Sequence, residues 1–346
     1  MLKMETFNFQ TIEETIEYIS QESDKGYVIF CGPEKVNLLS SKVSDNVVLC
    51  STSGEYTQNG YKTNVIAGFK YDLLECEAVE IKYPPIKSLD NLQRAYNKVK
   101  DNKNAFCLLL CDGLSGMEEC IMTTLFFIDK KFKVIGGSAG DYTNFKETPI
   151  YIGHKKVHSI AFFFNSKRRT QIVKENIYEP LGKKLLVTDA DPIKRVVKTF
   201  NNKPASSEYA RALNVPEEML EEYFMNNPLG KISRKFIDIA SPMKVNSDKS
   251  ITFYCQVMPN TFVEVLKPMD AVDTIKSTLN KAKFKPNFVL ALNCILRCLK
   301  FEKEGLWNDV DRQILSLSKN TTGFICYGEQ FYKQHFNQTM VLLLIE

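Results

Sequence analysis

The chain has 346 residues, with 45 basic and 41 acidic side chains and a formal net charge of +4. This length is too great for one comfortable hydrophobic core, which predicts two packed lobes. The apolar fraction of 44% excludes a disordered or low-complexity chain, and the near balance of charges gives no basis for nucleic-acid binding. No apolar run reaches the roughly 18 residues of a membrane span, and no export signal precedes the first strand, so we expect a cytoplasmic protein.

Ten cysteines are the unusual feature of the composition. A disulfide framework is not expected without an export signal, and no C-x2-C pair indicates a zinc ribbon. We therefore interpret the cysteines as reduced thiols that act as small apolar residues.

The predicted elements are of mixed α/β type. A helix over 11–22 precedes strands at 27–31 and 47–50, and a continuous apolar strand at 106–111 is followed by a helix over 117–128. Later segments predict a hairpin of 148–152 with 157–164, helices at 192–200, 206–213, 270–282 and 306–317, and strands at 185–188, 251–257, 262–266, 288–292, 323–326 and 339–345.

One local design occurs three times along the chain: an apolar strand, a turn with glycine and an acid, a polar loop, and another apolar strand. The turns lie at 51–55, 136–141 and 326–329. This repetition predicts an α/β fold of two packed lobes, with mixed β-sheets and flanking helices, related by internal duplication. We expect the three turns to face one shared cleft.

Several residues in these segments are able to carry chemistry. The glycine-rich turn at 136–141 can form an anion-binding nest, but it matches no nucleotide-binding motif. Arg297 near Cys294 can lower the pKa of the thiol and favour a nucleophile. His154 and His158 cannot chelate one ion across an extended strand, although a single histidine, His158 or His335, suffices to bind haem.

Together these segments resemble the FIST family, a signal-transduction domain with an N part and a C part. In the N part the similar motifs are CSTSGE at 50–55, DGLS at 112–115 and GGSAGD at 136–141; in the C part they are PLG at 228–230, Cys294 with Arg297, YGE at 327–329 and NQT at 337–339. Two positions depart from the family pattern, Leu49 in place of a glycine and Ala240 in place of an arginine. The resemblance implies a helical lead-in at 1–26, a FIST N domain at 27–215 and a FIST C domain at 216–346.

The resemblance also implies a sensory protein and not an enzyme. We expect a stand-alone bacterial protein without a cofactor, which binds a small polar ligand such as an amino acid. Its partner would be a separate signalling protein such as a histidine kinase or a chemotaxis component, and neither nucleic acid nor a membrane. The predicted ligand-binding residues are Ser51, Thr52, Gly54, Glu55, Asp112, Gly137, Ser138, Gly140, Asp141, Cys294, Arg297, Tyr327, Gly328, Glu329 and Asn337. Arg297 would neutralise a carboxylate, and the acids would bind an ammonium group.

Three alternatives remain open at this point. The first is a haem-based nitric oxide sensor with His158 or His335 as the iron ligand. The second is a cysteine-dependent enzyme centred on Cys294, and the third is a protein-interaction scaffold.

Overall fold

The computed structural model describes residues 4–233 and 236–346, which form two compact units. Unit 1 consists of the chain up to Glu175, Lys276–His335 and Met340–Glu346, and unit 2 of Asn176–Ile275 and Phe336–Thr339. The mixed α/β class is therefore confirmed, but the units interleave along the chain. The division at residues 215 and 216 remains a prediction about sequence domains. No helix in the described part of the chain is both long enough and apolar enough to cross a bilayer.

Unit 1 begins with two copies of one arrangement of strands and helices. Repeat 1 contains β1 (Glu5–Phe9), α1 (Ile12–Ile19), β2 (Lys25–Cys31), α2 (Pro33–Ser40), β3 (Val47–Ser51), β4 (Glu55–Thr57), β5 (Gly60–Lys62) and β6 (Ile66–Asp72). Repeat 2 contains β7 (Cys76–Ile81), α3 (Leu89–Asn97), β8 (Phe106–Cys111), α4 (Glu118–Ile128), β9 (Val134–Ser138), β10 (Ile150–Ile152), β11 (Lys155–Val157) and β12 (Ser159–Phe164).

The third copy is interrupted in sequence by unit 2. Its edge strand β13 (Thr170–Asn176) is followed by β14 (Tyr178–Asp191), β15 (Val196–Phe200), β16 (Lys203–Pro204), α5 (Ala205–Leu213), α6 (Leu220–Tyr223), β17 (Leu229–Ser233), β18 (Phe236–Ala240), β19 (Pro242–Val245), β20 (Ile251–Phe253) and β21 (Thr261–Pro268). Repeat 3 then continues with α7 (Ala271–Leu279), β22 (Phe288–Cys294), α8 (Ile295–Glu304), α9 (Trp307–Leu315), β23 (Thr321–Cys326), β24 (Glu329–Phe331), β25 (Gln334–Phe336) and β26 (Thr339–Ile345).

The three repeats of unit 1 build three six-stranded sheets with the same strand order. Each sheet contains an edge strand, an antiparallel strand, a parallel pair and a hairpin from another repeat. The hairpin β4–β5 extends the sheet of repeat 3, β10–β11 that of repeat 1, and β24–β25 that of repeat 2. The predicted repetition is therefore present, but all three copies lie mainly in unit 1 and do not relate one lobe to the other.

Successive side chains of a strand point to opposite faces of its sheet, and in unit 1 both faces of each sheet are apolar. In repeat 1, Ile29 and Leu49 pack with Val36 and Leu39 of α2. On the opposite faces, aromatic side chains form a continuous row in which successive ring centroids lie 4.7–6.3 Å apart. The row consists of Phe324, Phe30, Phe69, Tyr71, Phe164 and Phe106. This aromatic row connects strands of all three sheets and forms part of the core of unit 1.

Unit 2 is built on one antiparallel sheet, in which β18, β17, β21, β14, β15, β20 and β19 follow one another. The predicted helix at 192–200 is wrong, because this segment contains β15, paired with β14 and β20. Its residues Val196, Val197 and Thr199 are β-branched, which favours a strand. The predicted hairpin at 148–164 is also wrong in part, since β10 pairs with β11 and β12 belongs to another sheet.

The parallel strand pairs place Leu49, Gly136 and Gly323 at equivalent positions of the three repeats. Gly323 has a φ of +151°, and a Cβ there would lie 1.8 Å from the carbonyl oxygen of Ala291. We expect Gly323→Ala to lower the free energy of unfolding by about 3 kcal/mol, because strain and a backbone clash add. Denaturant unfolding measures the change.

The matched control is Gly116→Ala, which also has a positive φ of +65° but no atom within 4 Å of a Cβ. Gly116→Ala should lower the free energy of unfolding by about 1 kcal/mol, because only the backbone conformation is unfavourable there. Equal costs at the two glycines would contradict the close packing of β23 on β22.

Candidate functional site

The turns that follow β3, β9 and β23 meet where the three parallel strand pairs end. Six backbone hydrogen bonds of 2.8–3.1 Å join them: Ser53 N to Ile325 O, Gly140 N to Ser51 O, Tyr327 N to Ser138 O, Ile325 N to Gly54 O, Ser51 N to Pro149 O, and Ser138 N to Gly328 O. The first three of these bonds are equivalent, because each joins the same positions of a different pair of repeats, and the same is true of the last three. We call residues 51–55, 138–141 and 325–329 the turn ring.

Ten of the predicted ligand-binding residues lie in the turn ring: Ser51, Thr52, Gly54, Glu55, Ser138, Gly140, Asp141, Tyr327, Gly328 and Glu329. Gly137 directly precedes it in β9, where a Cβ would lie 2.8 Å from the Phe324 ring. The structure thus brings together the turns that the sequence predicts to face one place. Their contact with a ligand remains a prediction.

Two buried carboxyl groups occupy equivalent positions in the ring. Glu55 begins β4 opposite Phe324, and Glu329 begins β24 opposite Gly137. Thr52 Oγ1 donates to Glu55 Oε1 at 2.5 Å, and Cys326 Sγ donates to Glu329 Oε1 at 3.2 Å. In repeat 2 the corresponding strand begins with Ile150, opposite Cys50. The backbone of the ring therefore repeats three times, but only repeats 1 and 3 have a carboxyl group where the exchanged hairpin begins.

Burial raises the pKa of Glu55 from 4.5 to about 7. Hydrogen bonds from Thr52 Oγ1 and Val65 N and the charge of Lys35 oppose this shift without cancelling it. Tyr142 also contacts the carboxyl group, through a hydroxyl that donates to Oε1 at 3.4 Å. Glu55 therefore changes its protonation near neutral pH while enclosed by protein.

Polar side chains from outside the turn ring form a network around Ser138. Its hydroxyl donates to Glu118 Oε1 at 3.2 Å and accepts from Gln330 Nε2 at 3.0 Å. The same Gln330 amide lies 3.1 Å from His335 Nδ1. Sequence reasoning assigned no site role to Glu118 or Gln330. The available signal was the position of Gln330, directly after the predicted Glu329.

A surface loop, residues 142–147, covers Asp141 and Tyr327. The Tyr327 hydroxyl donates to Asp141 Oδ1 and accepts from Thr143 N at 2.9 Å. Three backbone N–H groups, those of residues 145–147, donate to the Asp141 carboxylate. Burial alone would raise the pKa of Asp141, but these hydrogen bonds outweigh it and lower the pKa.

The same loop holds an uncommon backbone conformation. Tyr142, Thr143 and Phe145 have φ values of 57°, 68° and 52°. Each left-handed residue other than glycine costs about 1 kcal/mol, so Asp141 and Tyr327 hold the loop against strain. A strained loop fixed by a few hydrogen bonds is a segment that can open.

The other predicted residues lie outside the ring. Asp112 follows β8, where it accepts from Thr148 Oγ1 at 2.5 Å. Arg297, fully buried in α8, pairs with Glu175 and lies 4.9 Å from the Phe301 ring centroid. Burial raises the pKa of Glu175, and the guanidinium opposes that shift. The predicted role of Arg297 toward a ligand carboxylate therefore competes with an internal partner.

Cys294 and Asn337 are the last two of the predicted residues. Cys294 is fully buried at the end of β22, opposite Cys326, which does not favour a thiol that meets a substrate. Asn337 belongs to unit 2, where its N–H donates to Ile239 O at 3.3 Å. The cysteine-dependent enzyme stays an alternative prediction.

The two histidines offered as haem ligands differ in their surroundings. His335 is 5% exposed, and a Cβ on Gly328 would lie 2.3 Å from its ring. His158 has a side chain that is 63% exposed, stacked on Tyr83 at 4.6 Å. These surroundings single out neither histidine as an axial ligand, and haem binding stays an alternative prediction. In the described part of the chain, no three His, Cys, Asp or Glu residues are grouped to bind a metal.

Comparison of the sequence with protein families identifies the family that the turn motifs indicate. The FIST N domain matches residues 28–203, and the FIST C domain matches residues 205–332. The chain belongs to the FIST family. FIST domains are sensory domains of signal transduction proteins. A search of the curated proteins finds no match.

The two FIST matches divide the fold differently from its compact units. The FIST N match contains most of repeats 1 and 2 and the first strands of unit 2. The FIST C match contains unit 2 from residue 205 to Ile275 and repeat 3 from α7 as far as Tyr332. The turn ring thus combines two turns from FIST N with one from FIST C.

The raised pKa of Glu55 predicts a pH-dependent stability. Between pH 4.5 and about 7 the folded protein binds the proton more tightly than the unfolded chain, so the free energy of unfolding falls as pH rises. Glu55→Gln should remove this contribution, about 2 to 3 kcal/mol across the window. Denaturant unfolding of both proteins at pH 5 and pH 8 measures the difference. The exposed Glu13→Gln is the control and should follow the unmodified protein; parallel curves for Glu55→Gln would contradict the assignment.

The Tyr327 hydroxyl predicts a second measurable effect. Tyr327→Phe removes two hydrogen bonds of the surface loop, so local opening becomes more frequent and trypsin should cleave after Lys146 about tenfold faster. Tyr332→Phe is the control, because the Tyr332 hydroxyl makes no side-chain hydrogen bond within the described residues. Equal cleavage rates in both variants and the unmodified protein would show that Tyr327 does not hold the loop.

Proposed function

We propose that this FIST protein is a sensory module that binds a small polar ligand at the turn ring and acts through a separate signalling protein. The observation that carries the proposal is the convergence of three turns, two with buried carboxyl groups, beneath a strained surface loop. In α/β sheets, ligands bind beyond the carboxyl ends of the parallel strands, and the ring lies at those ends.

The chemistry of the ring favours a ligand rich in hydrogen-bond donors. Glu55 and Asp141 supply carboxyl oxygens, and the Ser51 hydroxyl is fully buried without a partner among the described residues. A buried polar group without a hydrogen bond is costly, so a ligand that supplies the missing partner gains affinity. Ammonium and hydroxyl groups meet this requirement, and amino acids carry the first.

Ligand entry would require movement of the surface loop. The ring residues Ser51, Glu55, Ser138 and Asp141 are at most 1% exposed. Opening of the loop at Thr143 would expose Asp141 and Tyr327, and closure over a ligand would change the protein surface. Such a change gives a partner protein two distinguishable states.

Thermal-shift measurements with amino acids, amines, polyols and organic acids test this proposal. At 100 times its Kd, a ligand stabilises the folded state by about 2.7 kcal/mol, which raises Tm by a few degrees. Tyr327→Phe should reduce the shift, whereas Tyr332→Phe should leave it unchanged. No shift with any compound, or equal shifts in both variants, would refute binding at the turn ring.

A further inference from the structure

Unit 2 has a groove that is distinct from the turn ring. Its volume is about 340 Å³, and it crosses three neighbouring strands, β17, β21 and β14. The register places Gly230 opposite Glu264 and Glu264 opposite Lys184. The groove therefore contains a row of one glycine, one acid and one base across the sheet.

The walls of the groove are apolar and unusually open. Phe262 is 66% exposed and Ile232 is 41% exposed. Side chains two residues apart share one face of a strand, so Phe262 lies beside Glu264, and Ile232 lies beside the gap at Gly230. Large apolar groups exposed around a concavity indicate a binding surface.

The floor of the groove contains the carboxylate of Glu264, whose charge is balanced by few hydrogen bonds from the protein. Glu264 is only 8% exposed, and its Oε1 accepts a hydrogen bond from Gly182 N at 3.1 Å. No other described residue donates a hydrogen bond to this side chain, and Lys184 forms no ion pair with it although the two residues face each other. A mostly buried carboxylate beside an aromatic ring is complementary to a cation, which gains both a charge-assisted hydrogen bond and a cation–π contact.

We propose that this groove binds a small organic monocation, an alkylammonium or alkylguanidinium group with an apolar stem. The charged head would lie on Glu264, and the stem would lie along Phe262 and Ile232. Lys184 at the rim disfavours a second positive charge, so the groove selects monocations over dications. The cation has two sources, a free amine or a basic side chain on another protein, and both present the same chemistry.

Calorimetric titration of the full chain with n-butylammonium tests the proposal, with n-butanol as the neutral analogue. Binding of n-butylammonium but not of n-butanol is the expected result. A blocked lysine amide replaces n-butylammonium in a second arm: binding of the free amine supports a small-molecule source, and binding of the blocked lysine alone supports a protein source. Equal binding of n-butanol, or no binding of either cation, overturns the proposal.

Two substitutions should change the affinity in opposite directions, which a purely structural role would not produce. Glu264→Gln keeps an oxygen for Gly182 N but removes the charge, and should weaken binding at least about tenfold. Lys184→Gln removes the like charge and should strengthen binding about twofold to threefold. Asp189→Asn, an exposed acid elsewhere on β14, is the control and should have no effect. Unchanged affinity in Glu264→Gln, with an unchanged Tm, would refute the site.

Discussion

Closure of the turn ring by backbone hydrogen bonds is the constraint on which the rest of unit 1 depends. Each repeat both donates hydrogen bonds to and accepts hydrogen bonds from the other two, so the conformation of each turn is tied to that of its neighbours. The exchange of hairpins follows from the same geometry, because β4, β10 and β24 each leave a turn and pair with another repeat's sheet. Main-chain groups make these bonds, so the side chains of the ring are free to differ.

The three repeats use that freedom unequally. Repeats 1 and 3 place a carboxyl group at the start of the exchanged hairpin, each with a hydroxyl or thiol donor three residues earlier. Repeat 2 has Ile150 there, and contributes instead Ser138 and the loop held by Asp141. A nearly symmetric backbone thus carries an asymmetric polar centre.

The sequence was informative where structure is decided locally and uninformative where it is decided by distant partners. Helix α4 and strand β8 follow from apolar runs of the right length, and the turns follow from their glycines and acids. Hairpin exchange joins residues far apart in sequence, such as Glu55 and Phe324, and no local pattern encodes such a pair. Helix α2 was missed because it has only 8 residues and begins at Pro33, which resembled a strand terminator. In the site, the turn residues were predictable, but the partner of Arg297 was not, because Glu175 lies in a strand that the sequence did not predict.

Hydrogen exchange of the amides of Ser53, Gly140 and Tyr327, followed by NMR, tests the central claim most directly. These three N–H groups donate the equivalent bonds of the ring, from three separate turns. If the ring is one closed structure, all three should exchange at similar slow rates that report unfolding of unit 1 as a whole. Fast exchange at any one of them, with slow exchange at the other two, would contradict a closed ring.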